Sequence, residues 1–252
     1  MGVSKRFEIE PLPNILNKIQ LMNTLESQAS SSIGCWIVTI NTDIHRQLCS
    51  HQSIELCEEI YFGSLRTADG FPIKYLAQKV LKQKVERITG VEILEDLVSF
   101  SVARSIPIII AGGKDGDETL LTEKMKMKFP NGEFQPIALP HEESAKLAAI
   151  LNTKIAYSRF TLLLGVGALK SEEIILNLRK KFPTSIFLGC GAAISFHVGS
   201  LKRAPKLVSK MNLEWFWRLM LEPRRLFLRY FLYDLSHLIK LLLVSLVKKP
   251  RR

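Results

Sequence analysis

The stretch Phe160-Thr-Leu-Leu-Leu-Gly-Val-Gly167 is a continuous apolar run that ends in two glycines separated by one residue. Such a run is typical of a strand buried on both faces, as in a parallel sheet. A helical segment follows at residues 171–182, with Glu172 and Glu173 in its first turn, where acids favour a helix N-terminus. Ser185-Ile-Phe-Leu-Gly-Cys-Gly191 is a second run of the same kind. This order of strand, helix and strand predicts a parallel β-α-β unit.

The same alternation extends toward the N-terminus. Three further apolar runs occupy residues 35–40, 106–111 and 134–139, with helical patterns between them. We therefore predict an α/β fold with a Rossmann-like, mostly parallel sheet flanked by helices. Residues 1–200 are expected to form this core, and residues 201–252 a basic helical appendage at its C-terminal side.

Composition indicates a globular protein without a metal site. Of the 252 residues 47% are hydrophobic and 23% are charged, which excludes a disordered chain. The cysteines form no CxxC pair, so they are predicted to be buried apolar residues in a reducing cytosol: Cys35, Cys49, Cys57 and Cys190. His45 and His51 are predicted to lie at the surface. No signal peptide is expected, because no apolar run follows the N-terminal charges.

Positive charge is concentrated in the last fifth of the chain. From Lys202 onward there are 13 lysines and arginines against three acids, a net charge of +10 out of +11 for the whole chain. Such asymmetry indicates an anionic partner, for which lipid headgroups, nucleic acid and a pyrophosphate are the candidates.

The same C-terminal segment combines bases with apolar and aromatic side chains. Residues 226–247 form a long apolar pattern interrupted by Arg229, Asp234 and Lys240, and the uninterrupted part is too short to span a bilayer. A helix of this kind is typical of segments that lie on an anionic membrane surface. The alternative is an ordinary helix that packs on the core or on another subunit of a homo-oligomer. Nucleic acid is not expected as a partner, because it would not bury so many aliphatic side chains.

A short acidic loop, Thr67-Ala-Asp-Gly-Phe71, is the candidate catalytic element. Asp69 could act as a general base toward a sugar hydroxyl, although an Asp-Gly pair also favours a simple turn. Thr39 and Asn41 end the first predicted strand, at the edge where open α/β sheets bind ligands. Asn41 is an equally good candidate for a helix N-cap. Arg87 could hold a phosphate, pair with Asp69, or lie in solvent.

A glycine turn follows the second of the predicted strands. Gly112 and Gly113 lie between a strand and a helix, a junction that can bind phosphate through backbone N–H groups. The turn lacks a complete phosphate-binding motif, so the signal is weak. The neighbouring Asp115-Gly-Asp117 has the form of a DxD metal motif, but its turn-forming context favours a turn.

Taken together, these motifs resemble the WecG/TagA/CpsF family of bacterial glycosyltransferases from about residue 36 to 230. The resemblance rests on Thr39-Ile-Asn41, Ala68-Asp-Gly70, Glu86-Arg-Ile-Thr-Gly90, Gly165-Val-Gly-Ala-Leu-Lys-Ser-Glu172, Gly189-Cys-Gly-Ala-Ala-Ile-Ser-Phe-His-Val-Gly199, Lys202-Arg-Ala-Pro205, Leu213-Glu-Trp-Phe-Trp-Arg218 and Glu222-Pro-Arg-Arg225. Each motif alone is weak, whereas their order and spacing over most of the chain are specific.

The resemblance implies an inverting, metal-independent transfer of a sugar from a nucleotide donor, with uridine diphosphate as the favoured nucleotide, onto a polyprenyl-pyrophosphate-linked glycan. In that scheme Asp69 matches the base and no cofactor takes part. The residues expected to bind substrate are Thr39, Asn41, Arg87, Gly112, Gly113, Gly167, Lys170, Ser171, Glu172, Gly191 and Ser195. Those expected to meet the pyrophosphate or the membrane are Arg203, Arg218, Arg224, Arg225 and Arg229. The enzyme would act in surface or exopolysaccharide assembly, as a cytoplasmic protein peripheral to the inner membrane.

The chain departs from the family pattern on the donor side. Ser171 stands where the family has glutamine, Ser195 replaces an aspartate, and Leu228 replaces an arginine. These changes leave the donor sugar open. They also motivate a second hypothesis, a non-catalytic member that binds a nucleotide sugar or a partner enzyme at the membrane.

Overall fold

A computed structural model describes residues 15–205, 207–208, 211 and 213–247. It contains a six-stranded sheet in which every neighbouring pair of strands is parallel. The strands are β1 (Cys35–Ile40), β2 (Leu65–Ala68), β3 (Ile108–Gly112), β4 (Phe134–Ile137), β5 (Thr161–Gly165) and β6 (Ile186–Gly189). Their order across the sheet is β2-β1-β6-β5-β3-β4. The α/β, Rossmann-like prediction is confirmed.

Helices connect the strands and cover both faces of the sheet. Those of the core are α1 (Lys18–Ser30), α2 (Thr42–Ser50), α3 (Ile54–Phe62), α4 (Phe71–Leu81), α5 (Gly90–Val102), α6 (Asp117–Lys128), α7 (Ser144–Lys154), α8 (Lys170–Lys181) and α9 (Ala193–Val198). The C-terminal segment adds α10 (Glu214–Leu221), α11 (Pro223–Leu228), a π-helical turn (Arg229–Asp234) and α12 (Leu235–Val247).

The hydrophobic core is divided by the sheet into two layers. Alternate side chains of β1 show the division: Trp36 and Val38 pack in one layer, whereas Cys35 and Ile37 pack in the other. All six residues of β1 are buried. Burial on both faces explains why the strands appear in the sequence as unbroken apolar runs.

Two elements were not predicted from the sequence. Strand β2 was taken as part of a loop, because it is four residues long and carries Arg66. That arginine is only 2% exposed, and its guanidinium lies 5.7 Å from the ring centroid of Tyr61. Helix α1 was missed because its sequence is polar, and it buries only Leu21 and Leu25.

One helical pattern and one histidine also differ from expectation. Residues 43–60 have polar and apolar residues at the spacing of one helix, but the structure divides them between α2 and α3, because Ser53 caps the second helix by accepting a hydrogen bond from the N–H of Leu56. The prediction that His45 lies at the surface was wrong, since its exposure is 0%. Its place on the inner face of α2 brings it against the C-terminal segment, a long-range contact that local spacing does not reveal.

The C-terminal segment packs on the core along one side and exposes apolar side chains along the other. Leu226 and Leu241 are buried, and Leu241 belongs to the core layer that contains Trp36. Large apolar residues remain exposed, among them Phe227, Leu232, Ile239 and Leu243. Within the described residues, no helix has the length and apolar character needed to cross a bilayer.

A close backbone approach at the start of β1 yields a stability prediction. A Cβ added at Gly34 would lie 2.1 Å from the carbonyl oxygen of Pro183, so Gly34→Ala must displace the backbone. We expect a loss of more than about 2 kcal/mol in the free energy of unfolding, measured by urea denaturation.

The matched control is Gly116→Ala. Gly116 has φ +83°, but no heavy atom lies within 4 Å of an added Cβ. Only the backbone strain of about 1 kcal/mol is then expected. Equal losses in the two variants would contradict the steric explanation.

Candidate active site

The carboxyl ends of the strands open onto a cleft of about 680 Å³, a volume suited to a small ligand. Sequence-predicted residues that line it are Thr39, Asn41, Asp69, Gly113, Gly167, Ser171, Glu172, Gly191, Ser195, Arg203, Arg218 and Arg229. Arg87 lines a second, adjoining cavity instead. Gly112, Lys170 and Arg224 line neither cavity. The side chain of Arg225 lies outside the described part of the structure.

Asp69 follows β2 directly. Its backbone N–H donates to the carbonyl of Ile40, 2.8 Å away, so the acid sits beside the end of β1. Gly70 then adopts φ +88° and begins α4, a conformation that favours glycine. The Asp-Gly pair therefore joins β2 to α4 and places a carboxyl at the cleft.

Burial raises the pKa of the Asp69 carboxyl to about 7. The positive charges of Arg218 and Arg87 oppose this shift, whereas Glu214 and Glu92 reinforce it. A carboxyl whose pKa lies near the working pH can both accept and release a proton efficiently. A raised pKa in a cleft is a common mark of a catalytic acid or base.

Arg87 pairs with an acid that local sequence does not indicate, whereas Asn41 caps a helix as predicted. The Nη1 of Arg87 lies 3.0 Å from Oε2 of Glu214, so this arginine pairs with the C-terminal segment rather than with Asp69. Asn41 caps α2, its Oδ1 accepting from the N–H of Ile44 at 2.9 Å. The capping role is confirmed, and Asn41 lies at the cleft as well.

Glycines shape the edge formed by β3, β5 and β6. Gly113 adopts φ +104°, and its N–H donates to the carbonyl of Gly165 at 2.8 Å. That N–H is therefore already satisfied within the sheet edge. Gly167 and Gly191 also have positive φ, and open space faces both Cα atoms, so a ligand can approach the backbone closely there.

Ser171 and Glu172 lie at the start of α8 and are both 1% exposed. The hydroxyl of Ser171 donates to the carbonyl of Gly167 at 3.0 Å, which ties this side chain to the strand end. Burial raises the pKa of Glu172 to about 7. Among the described residues its Oε2 has no hydrogen-bond partner.

Asp117 is a site residue that motif reading did not assign. The hydroxyl of Ser195 donates to its Oδ2 at 2.5 Å, and the backbone N–H of Lys114 donates to the same oxygen at 2.9 Å. Ser200 donates to Oδ1. Asp117 thus places a carboxylate directly against Ser195, where the family pattern has its own aspartate. The DxD-shaped stretch forms a turn, as its context predicted, and Asp117 begins the helix that follows.

Three arginines bring positive charge to the cleft from the C-terminal side. Arg203 is exposed, and Arg218 lies over the ring of Phe196 at 5.5 Å. Arg229 Nη1 lies 3.4 Å from Oδ2 of Asp43. Cations placed at a cleft edge can stabilise the charge of phosphate groups.

A second cavity of about 330 Å³ joins the first. Its walls are largely apolar, formed by Phe71, Pro72, Trp215, Tyr230, Phe231, Leu235 and Leu238. Six residues line both cavities: Asn41, Asp43, Asp69, Glu214, Arg218 and Arg229. Asp69 therefore lies where a polar, glycine-edged cleft meets an apolar groove.

Fold and cleft define the class of protein: a Rossmann-like α/β enzyme with its site at the carboxyl edge of a parallel sheet. Residues 13–252 match the family model described as the glycosyl transferase WecG/TagA/CpsF family, and the chain belongs to that family. It is thus a glycosyltransferase.

Curated relatives agree with this assignment. Enzymes named N-acetylglucosaminyldiphosphoundecaprenol N-acetyl-beta-D-mannosaminyltransferase, from Staphylococcus aureus strains NCTC 8325 / PS 47 and COL, are each 22% identical over 217 residues. The match covers 84% of this chain and 82% of each relative. The enzyme of the same name from strain MRSA252 matches with the same identity and coverage.

The charges around Asp69 predict the direction of a pKa change. Arg218 favours the carboxylate, so Arg218→Gln should move the pKa of Asp69 upward from about 7. A ¹³C NMR titration of the carboxyl groups would measure it. Arg224→Gln is the control, because Arg224 is exposed and lines neither cavity. An unchanged or lowered pKa in Arg218→Gln would contradict this electrostatic account.

Proposed function

We propose that this glycosyltransferase moves a sugar, with inversion and without a metal, from a nucleotide diphosphate donor onto a polyprenyl-pyrophosphate-linked sugar. Uridine diphosphate is the favoured nucleotide. The names of the relatives support the class of acceptor, since those enzymes act on an N-acetylglucosaminyl diphosphoundecaprenol. The role would be in assembly of a cell-surface or extracellular polysaccharide.

The observation that carries the proposal is the position of Asp69 at the junction of two cavities of different character. The larger cleft has glycine strand ends and cationic side chains, which suit a nucleotide diphosphate. The smaller groove has aromatic and aliphatic walls beside Arg218 and Arg229, which suit a pyrophosphate attached to a lipid. A carboxyl between them can reach both reacting groups.

In the proposed reaction the Asp69 carboxylate accepts the proton of the acceptor hydroxyl as that oxygen attacks the anomeric carbon. The bond from this carbon to the donor's phosphate oxygen breaks at the same time, and its electron pair leaves with the nucleotide diphosphate. A single displacement of this kind inverts the anomeric configuration. Arg218, Arg203 and Arg229 would stabilise the charge on the phosphates.

Two of the three residues in which this chain departs from its family, Ser171 and Ser195, line the larger cleft, where the donor would bind. The hydroxyl of Ser171 donates a hydrogen bond to the carbonyl of Gly167, just after β5. The hydroxyl of Ser195 donates one to the carboxylate of Asp117. We propose that these contacts, with Gly167 and Gly191, determine which donor sugar fits. Thr39, which is 5% exposed at the end of β1, would contact the ligand between the proposed donor and acceptor sides of the site.

We further propose that the C-terminal segment holds the enzyme on the cytoplasmic face of an anionic membrane. The segment carries most of the chain's net charge, and its outer side exposes large apolar residues next to the apolar groove. Apolar area combined with basic charge is the composition of helices that bind at the interface. Membrane attachment would place the groove beside its lipid-linked substrate.

Asp69→Asn tests the catalytic proposal. The amide cannot accept the proton, so the rate of sugar transfer should fall by about 10²- to 10⁴-fold while nucleotide binding is retained. Transfer is measured with a panel of nucleotide sugars and a polyprenyl-pyrophosphate-linked acceptor. Asp96→Asn is the matched control, because Asp96 pairs with Lys18 on the surface. A folded Asp69→Asn enzyme with wild-type transfer would refute this role.

Leu232→Glu combined with Ile239→Glu tests the membrane proposal. These side chains are 59% and 50% exposed, so the changes should leave the fold intact. Loss of two apolar insertions should weaken partition onto vesicles of anionic lipid at least about tenfold in a flotation assay. Ile19→Glu is the control, being 73% exposed but on α1. Equal partition of all three proteins would exclude this surface.

A further inference from the structure

A cluster of metal-ligand side chains joins the core to the C-terminal segment, outside the two cavities. His45 and Cys49 lie one turn apart on α2, and His237 projects from α12. Nδ1 of His45 is 2.8 Å from Nε2 of His237 and 3.7 Å from Sγ of Cys49. One donor atom from each residue lies within 4.8 Å of the other two.

His45 is fully buried where it meets His237. Its exposure is 0%, and the two ring centroids are 5.1 Å apart. The Nε2 of His45 has no hydrogen-bond partner among the described residues, so the fold has buried this ring without satisfying it fully.

We propose that His45, Cys49 and His237 form a Zn²⁺ site. Two imidazole nitrogens and one thiolate are a donor set that zinc prefers, and a water molecule would complete the tetrahedron. Zinc–ligand bond lengths of about 2.0–2.3 Å imply edges of about 3.3 Å between two nitrogens and about 3.6 Å between nitrogen and sulfur. The two edges at His45 Nδ1, 2.8 and 3.7 Å, are close to these values, and binding requires the two ring nitrogens to separate by about half an ångström. The third edge, between His237 and Cys49, is within 4.8 Å.

The proton balance of binding is simple. Cys49 loses its thiol proton to solvent as the sulfur–zinc bond forms. His45 coordinates through Nδ1, so its ring proton resides on Nε2. His237 coordinates through Nε2, so its ring proton resides on Nδ1. Only the histidine that donates the present hydrogen bond between Nδ1 of His45 and Nε2 of His237 changes tautomer, without net proton release. One proton, that of the thiol, is released for each ion bound.

A metal here would fasten the C-terminal segment to α2. The same helix already contacts that segment through Arg46, whose Nε lies 3.2 Å from Oδ1 of Asp234, and through Asp43, which pairs with Arg229. Zinc would therefore fix the position of the wall that carries Arg229. The sequence predicted no metal because His237 is 188 residues from Cys49. The proposed ion takes no part in sugar transfer.

Metal content of the intact protein tests the site. After incubation with Zn²⁺ and gel filtration, wild type should retain one equivalent by elemental analysis. Co²⁺ in place of zinc should give a thiolate-to-cobalt charge-transfer band. Cys49→Ser should abolish the band, and both Cys49→Ser and His237→Asn should weaken zinc affinity at least about tenfold. His141→Asn is the control, since His141 is exposed and outside the cluster.

Two results would overturn the proposal: wild type that retains no zinc and gives no cobalt band, or ligand variants that bind zinc as wild type does. In either case the cluster is only a hydrogen bond between two histidines. If a variant fails to fold, the wild-type cobalt spectrum decides alone. Neither result bears on Asp69→Asn, so failure here is distinguishable from failure of the proposed transfer.

Discussion

Parallel pairing of all six strands is the constraint from which the site follows. Each strand must end on the same side of the sheet, so polar and glycine residues placed after different strands meet at one edge. Asp69 comes after β2, Thr39 ends β1, and Gly167 and Gly191 follow β5 and β6. Burial of both sheet faces leaves this edge as the place where backbone groups can meet a ligand. The buried faces of the strands therefore stabilise the fold, and their carboxyl ends are accessible to a ligand.

The C-terminal segment supplies the other wall. Glu214 reaches Arg87 beside the end of β2, and Arg229 reaches Asp43 on α2, so ion pairs join sequence-distant parts around Asp69. Partly exposed pairs of this kind contribute little free energy on their own. Burial of Leu226 and Leu241 holds the C-terminal segment on the core, and the ion pairs fix where along the core it lies. The result is a polar cleft at the sheet edge that adjoins an apolar groove formed largely by the C-terminal segment.

The sequence predicted those features that depend on interactions between neighbouring residues. β1 was predicted with its observed bounds, because six buried residues leave an unmistakable apolar run. The cap at Asn41 was predicted because helix starts have short-range signatures, whereas the role of Asp69 as the base stays a prediction. Strand β2 was not predicted because a buried arginine interrupts its apolar pattern. The burial of His45 was not predicted because its partner is 192 residues away. The Ser195–Asp117 bond likewise joins residues 78 apart, so only the fold could reveal that a carboxylate faces that serine.

The shared lining of the two cavities has a consequence for how such an enzyme can diversify. A substitution at Asp69, Arg218 or Arg229 alters both substrate environments at once. Ser171 and Ser195 line the larger cleft alone, so they can change without disturbing the groove. In the proposed reaction, changes at these two positions would alter the donor site and leave the groove for the lipid-linked acceptor as it is. Two of the three departures of this chain from the family pattern are these serines.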